Sequence, residues 1–385
     1  MKLNIADRIA SMPTSIFSTM SKLAVEYKAV NLGQGFPDFD GPEWLIEASY
    51  FAMKDGKNQY APSHGILSLR ESISDYHDKF YNLKWNPETE ITVTAGATEA
   101  IFSTINAFVN PGDEVIVFEP FYDSYQADVI LAGGICRYIT LNKPDFKFDF
   151  DQFLSLINNN TKLIILNSPH NPTGKVFTKN ELQFIADIAI ENDILVLSDE
   201  VYEFLTYDGK PHIPIASLAG MKKRTITISS AGKTFSMTGW KIGYAIADKK
   251  LTEAIRKVHQ WVTFAVNTPS QHAVAFGFNK LEEYLPDFKA NYSRKRNLMI
   301  NELKNSGFKC HTPYGSYFIM VDYPANKFDS DIDAATRLVQ EFGIATIPPS
   351  VFYSKSDEGK SMLRLCFAKT DDVLLNGSQI LKGIK

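Results

Sequence analysis

Cysteine is scarce in this sequence: Cys136, Cys310 and Cys366 are an odd number, far apart and without a CxxC pair. That excludes a disulfide framework and a cysteine zinc site, and it fits a reducing compartment. An excess of either charge is also missing. The 40 Lys and Arg against 44 Asp and Glu leave a net charge of −4, with the two signs interspersed, so no basic patch is offered to nucleic acid or to an anionic membrane surface. No apolar run approaches the roughly 20 residues of a membrane span, and charges interrupt the opening MKLNIADRIASMP. Neither a signal peptide nor an anchor is expected, and the cytoplasm is the expected location. The histidines show no metal-ligand spacing, and GQG at 33–35 follows no strand, which removes the dinucleotide fingerprint of a Rossmann dehydrogenase.

What the sequence does contain is a repeated alternation. Short β-branched runs occur as ITVT at 91–94, EVIVF at 114–118, KLIIL at 162–166, DILVL at 193–197 and TITIS at 225–229, each followed by a loop and a longer helix-like stretch. This order predicts an α/β fold with a mostly parallel central sheet, and runs so uniformly apolar predict cover on both faces. After about residue 280 come a charged helical stretch, NYSRKRNLMINELK, and separate strand-like runs, YFIMVDY and MLRLCFA, which read as a smaller α+β domain. The Gly- and Pro-rich NLGQGFPDFDGP reads as an irregular connection. The expected division is a large domain over 44–280 and a small domain built from 1–43 and 281–385.

Open parallel sheets bind ligands outside the carboxyl ends of their strands. Three polar residues just beyond the apolar runs stand out there: Asn171 in NSPHNPTG, Asp199 in SDEVY and Lys233 in SSAGK. An amide, a carboxylate and an amine around one crevice suit a pyridine-ring cofactor that bears an aldehyde. The lysine makes the Schiff base, and the aspartate keeps the ring nitrogen protonated so that the ring accepts electrons. The lysine must also return as a free amine to move a proton, which calls for a pKa lowered by desolvation and nearby cations. A phosphate on such a cofactor has a candidate cradle in TAGATEA, where Gly96, Ala97 and Thr98 present N–H groups at a helix start. Ser230 and Lys241, on the turn after another strand, add a hydroxyl and an ammonium.

In chain order, Gly96-Ala97-Thr98, Tyr122, Asn171 of NPTG, Asp199 and Tyr202 of SDEVY, Ser230 and Lys233 of SSAGK, Lys241 of GWK and Arg364 of MLRLCFA form a pattern. It resembles that of the fold-type I pyridoxal-phosphate enzymes, class I aminotransferases, over essentially the whole chain. Within them the likeness is to the kynurenine and glutamine aminotransferase group and to bacterial methionine aminotransferases, carried by NLGQGFPDFDGP, NQYAP, EPFYDSY, SDEVYE and HQWVTFAVNTPSQ. The resemblance implies pyridoxal 5'-phosphate (PLP) carried by Lys233, with Asn171 and Tyr202 bonded to the ring hydroxyl oxygen, Tyr122 stacked on one ring face and Val201 packed on the other. It further implies that Arg364 pairs with the substrate α-carboxylate, a task a planar guanidinium performs better than an ammonium, beside Asn171 and the Gly35 backbone. Phe17 and Phe264 would line an apolar side-chain pocket. Tyr60 would reach the phosphate of a partner subunit, so a homodimer with shared active sites is expected, and a cis Asn171–Pro172 bond is compatible with the pattern.

Two departures bear on substrate choice. Lys241 stands where the wider class often has Arg, which keeps the charge and loses the bidentate geometry. The segment TFAVNTPSQ holds no Arg for a second carboxylate, and Ala265 stands where kynurenine enzymes tend to have His. The expected reaction moves the amino group of an apolar or neutral α-amino acid (methionine, aromatic or glutamine-like) to a 2-oxo acid. A C–S β-lyase on the same scaffold is the enzymatic rival. A PLP-sensing regulator is the rival from another class, and it needs a DNA-binding domain and a basic patch that are not read here. Singly, the residues have plainer uses: core packing for Phe17 and Phe264, a helix cap for Asp199, a turn for Asn171. His170 is read as a neighbour of the site with no catalytic role.

Overall fold

Seven strands form the central sheet: β1 (Ile91–Ala95), β2 (Glu114–Glu119), β3 (Ile135–Thr140), β4 (Thr161–Asn167), β5 (Leu195–Asp199), β6 (Thr225–Ser230) and β7 (Ile242–Ile246). The computed structural model describes residues 5–10, 12, 15–304 and 306–384. The strand order is β1-β7-β6-β5-β4-β2-β3, with β7 antiparallel to both of its neighbours and every other pairing parallel. Four of the five apolar runs lie within strands of this α/β fold, and the fifth, at 193–197, enters its strand at Leu195.

Two strands carry no such run, for physical reasons. Strand β3 is an edge, and its Ile135 and Arg137 are exposed, so ICRYIT never becomes continuously apolar. In β7 the β-branched pattern is broken at Gly243, where a Cβ would lie 2.4 Å from the Gly96 carbonyl carbon; only glycine lets the two backbones approach so closely.

Alternate residues of the central strands point to opposite faces, and both faces are dry. Val115, Val117, Leu163, Ile165 and Leu197 pack with Ala100, Ile101 and Ile105 of the helix Gly96–Phe108. Ile116, Ile164 and Val196 pack with Leu182 and Ile185 of the helix Lys179–Glu191. That second helix starts at a capping box, in which Thr178 and Glu181 satisfy each other's backbone N–H. Truncating a fully buried leucine such as Leu197 to Ala would cost about 2–5 kcal/mol.

A second sheet holds β8 (Lys309–His311), β9 (Phe318–Asp322) and β10 (Met362–Cys366), all antiparallel in the order β10-β9-β8. The short strand Val30–Asn31 pairs in parallel with Ile344–Ala345, which joins the early segment to the late one. Residues 32–42 between them and the helix Glu43–Lys54 form no regular element, as the Gly and Pro content predicts.

The topology settles what meets what. Strands β4, β5 and β6 end on one edge of the large sheet. Because β7 runs against β6, its start lies on that edge, and β1, which runs against β7, ends there too. Ala95, Asn167, Asp199, Ser230 and Lys241 are therefore brought to one crevice. No helix among the described residues is long and apolar enough to cross a membrane.

Candidate active site

The crevice is a cavity of about 480 Å³ lined by residues of both sheets, a size that suits a cofactor with a small substrate. Beyond Ser230 the chain turns into the short helix Ala231–Thr234, which delivers Lys233 to the cavity. The Lys233 Nζ donates to the Tyr317 hydroxyl at 2.8 Å, and Tyr317 donates to the Gly35 carbonyl at 2.6 Å. Burial lowers the Lys233 pKa to about 8; Lys241 and Arg364 push the same way, against Cys366 and Asp199. An amine in that range is both nucleophile and base near neutral pH.

Asp199 closes β5 and is buried. Its Oδ2 accepts from the Tyr125 hydroxyl at 2.6 Å and its Oδ1 from the Val201 N–H at 3.3 Å. Burial pushes its pKa up to about 6, opposed by those two hydrogen bonds. A carboxylate held so high is completed by a cationic donor, as a protonated ring nitrogen provides. Asn167 ties the neighbouring strands together, donating to the Asp199 carbonyl at 2.9 Å and accepting from the Asn171 N–H at 2.7 Å.

At one end of the cavity Gly96 opens its helix at φ +77°, and the first N–H groups of that helix have no partner within it. A Cβ at Gly96 would sit 3.3 Å from the Lys241 Cε and Nζ, so the absent side chain leaves a cradle between helix start and ammonium. Lys241 takes φ +54° between the turn Thr238–Trp240 and β7. Ala97, Thr98 and Ser230 line the cavity with them.

The other end belongs to Arg364, in the middle of β10 and 1% exposed. Its Nη2 donates to the Gly33 carbonyl at 2.9 Å and its Nη1 to the Asn171 Oδ1 at 3.2 Å. The Phe318, Phe17 and Phe352 rings stand 4.2, 4.9 and 5.6 Å from its Cζ. Its buried Nε has no partner, and among the described residues no carboxylate pairs with it. Burial lowers its pKa to about 10. A desolvated guanidinium without a counter-ion calls for an anion from outside the chain.

Residues 27–377 match the family model described as aminotransferase class I and II. The chain belongs to this family. It is 41% identical to the methionine aminotransferase of Escherichia coli strain K12 over 380 residues, covering 98% of this chain and 97% of that one. It is 37% identical to the kynurenine–oxoglutarate transaminase of Dictyostelium discoideum, covering 98% and 95%. Among solved structures it superposes on an Escherichia coli protein with a methionine aminotransferase function at TM-score 0.95 and 39% identity, over 99% of this chain and all of that one. An aspartate aminotransferase from Thermus thermophilus bound to maleate gives TM-score 0.92 at 32% identity, over the whole of both.

The class I and II aminotransferases use PLP, and the residues present fit that group. The Gly96 cradle beside Lys241 suits a phosphate, the buried Asp199 suits a ring nitrogen, and Lys233 has an amine to offer the aldehyde. Of the residues singled out in the sequence, Gly35, Gly96, Ala97, Thr98, Tyr122, Asn171, Asp199, Val201, Tyr202, Ser230, Lys233, Lys241, Arg364 and Phe17 all line the one cavity. Phe264 does not. It follows the end of the helix Lys249–Val262 at φ +66°, is 54% exposed, and meets Tyr60 edge-on with ring centroids 5.4 Å apart. Within one chain, therefore, Phe264 is not part of the cavity wall. Tyr60 is 84% exposed and also lies off the cavity.

His170 is buried against Thr173 and held far below the usual imidazole range by burial, at about 3, so it is a neutral loop residue. The Asn171–Pro172 bond is cis. Sequence reasoning passed over Tyr125, Tyr317, Phe318 and Phe352. Tyr125 carried a signal, since it stands one helical turn after Tyr122 in EPFYDSY and faces the same way.

Proposed function

We propose that the chain moves the amino group of an apolar or neutral α-amino acid, of the methionine, aromatic or glutamine type, to a 2-oxo acid, and that it works in the cytoplasm as a homodimer. The observation that carries the substrate class is Arg364. It is the one arginine lining the cavity among the described residues, and its flanks are the rings of Phe17 and Phe318. One guanidinium serves the α-carboxylate; the aromatic walls favour an apolar side chain and leave a second carboxylate without a partner. The names of the methionine and kynurenine relatives support this reading, while the likeness to the aspartate enzyme shows that the fold alone does not choose the substrate.

Each residue then has a task. Arg364, oriented by Asn171 and the Gly33 carbonyl, anchors the substrate so that its Cα faces Lys233. Gly96, Ala97, Thr98, Ser230 and Lys241, which line one end of the cavity, would hold the phosphate. With the cofactor bound, Tyr122 and Val201 would serve its ring faces, Asn171 and Tyr202 its ring oxygen, and Asp199, fixed by Tyr125, would keep a proton on its ring nitrogen. When bound, the cofactor supplies a ring that withdraws electrons from Cα. Lys233 would be the base that takes the proton from the substrate Cα and gives it back. Tyr60 and Phe264, exposed and packed on each other, are assigned to the phosphate and pocket of the partner subunit, and the nearby Trp261, 85% exposed, belongs to the same contact face.

Kinetics with methionine, phenylalanine, leucine, glutamine, kynurenine and aspartate against a single 2-oxo acid test the reading. An apolar or neutral donor is expected to lead, with aminated acceptor formed one for one. Aspartate as the best donor, or ammonia and thiol in place of aminated acceptor, would overturn it.

A further inference from the structure

The hydroxyl of Tyr317 meets three groups of the site, the Lys233 amine, the Gly35 carbonyl and the Tyr202 hydroxyl, and has only one proton. Tyr317 lies just before β9, 1% exposed, with its ring crossed edge-on by Tyr202 at 5.0 Å and Phe318 at 4.8 Å. The Gly35 carbonyl, 2.6 Å from the hydroxyl, has no proton to give. With the Tyr317 proton given to Gly35, the oxygen's two lone pairs are left for the Tyr202 hydroxyl and for the Lys233 Nζ at 2.8 Å. Lys233 can donate at that place and cannot accept. A neutral amine that spends one N–H on Tyr317 keeps its own lone pair for the cavity, where the substrate Cα is to lie.

The contact also distinguishes two conditions of the lysine. While Nζ is tied to the cofactor it has no second N–H to spare; released by substrate, it has. Gly35 belongs to the irregular segment 32–42, and its neighbour Gly33 accepts from Arg364. One short stretch thus touches both the carboxylate anchor and, through Tyr317, the base.

We propose that Tyr317 is a positioning residue that receives the released Lys233 amine and points its lone pair at the substrate, with the Gly35 carbonyl setting the direction of the hydroxyl. The inference rests on the reading of Lys233 as cofactor carrier and base. It goes beyond that reading by naming what holds the base between its two tasks and by tying that hold to the segment that meets Arg364.

Tyr317→Phe keeps the ring packing and removes the oxygen. In the loaded enzyme kcat is expected to fall about 10- to 100-fold while KM for the amino acid changes less than about threefold. In the cofactor-free full chain, competitive acetylation of Lys233 followed across pH reads the amine itself. Besides the Tyr202 and Tyr317 hydroxyls, Asp199, Lys241, Arg364 and Cys366 face Lys233; all but Tyr317 are unchanged in the variant. Loss of an acceptor for the ammonium is expected to lower the midpoint by about one pH unit.

A second form, with 3-fluorotyrosine at position 317, keeps the shape and weakens the acceptor, so kcat and midpoint are expected between wild type and Tyr317→Phe. It decides the matter if the phenylalanine variant does not fold. An unmoved midpoint in a folded variant overturns the proposal, whether kcat is unchanged or kcat and KM shift together as packing damage would make them. Borohydride fixation of the cofactor on Lys233 in the same samples separates this failure from failure of the Lys233 reading, which would put the cofactor elsewhere.

Discussion

The end of the cavity proposed for the phosphate and ring is built from strand ends that are neighbours in one sheet: Ala95, Asn167, Asp199, Ser230 and Lys241 lie along a single edge. The end proposed for the substrate carboxylate is assembled from pieces far apart in the chain, namely Phe17, the Gly33–Gly35 stretch, Phe318, Phe352 and Arg364. The first end is polar and its geometry is set by hydrogen-bonded backbone. The second is aromatic, encloses one cation, and its geometry depends on how separate segments pack. On the proposed assignment, the chemistry shared by the family would reside in the sheet edge and the choice of substrate in the assembled wall. The same fold holds for the methionine-type and the aspartate-type structures.

Substitutions at the two ends are expected to behave differently. Asp199→Asn leaves the shape and removes the charge that holds the ring proton. It is expected to lower kcat by about 10²- to 10³-fold, the scale of breaking a buried charged pair, with KM nearly unchanged in steady-state assays. A variant that kept its kcat would show that the sheet edge does not carry the chemistry. Arg364→Lys loses the two-pronged grip and is expected to raise KM by about 10²-fold for every amino acid alike, with a smaller change in kcat. An effect confined to kcat would move Arg364 from anchoring to chemistry.

How much of this was legible follows the same line. Lys233, Asp199 and Asn171 could be picked out because each stands just past an apolar run, where a parallel sheet binds its ligands. Strand β7 was missed because Gly243 interrupts its apolar pattern, although the close approach of Gly96 requires that glycine. Arg364 was legible as a cation inside an apolar run. Its aromatic partners Phe318 and Phe352 were not, because aromatic residues in apolar runs look the same whether they pack a core or a ligand. Phe264 lies off the cavity of its own chain, against Tyr60, a placement that spacing does not reveal. Tyr317 could not be found from spacing, since its partners Gly35 and Lys233 lie 282 and 84 residues away.

Smaller effects sharpen the contrast. Phe17→Ala, at the assembled wall, is expected to lower kcat/KM for methionine or phenylalanine about tenfold and for alanine hardly at all. Equal losses for both donors would mean that Phe17 supports the fold and not the choice of substrate. At the sheet edge, the uncharged amine is the form that captures the cofactor, and with the Lys233 pKa near 8 its share grows as pH rises through that value. Reloading of cofactor-free protein, followed by absorbance, is expected to speed up about fivefold between pH 7 and pH 8 and to level off above pH 9. A rate that kept climbing to pH 10.5 would mean that burial does not lower this lysine.

The most direct measurement is reduction of the cofactor-loaded protein with borohydride followed by mapping of the labelled peptide. The label is expected on Lys233, one per chain, and Lys233→Ala is expected to bind no cofactor covalently and to lose activity by about 10⁴-fold or more. Label on any other lysine, or a fully active Lys233→Ala protein, would contradict the assignment on which the site is built.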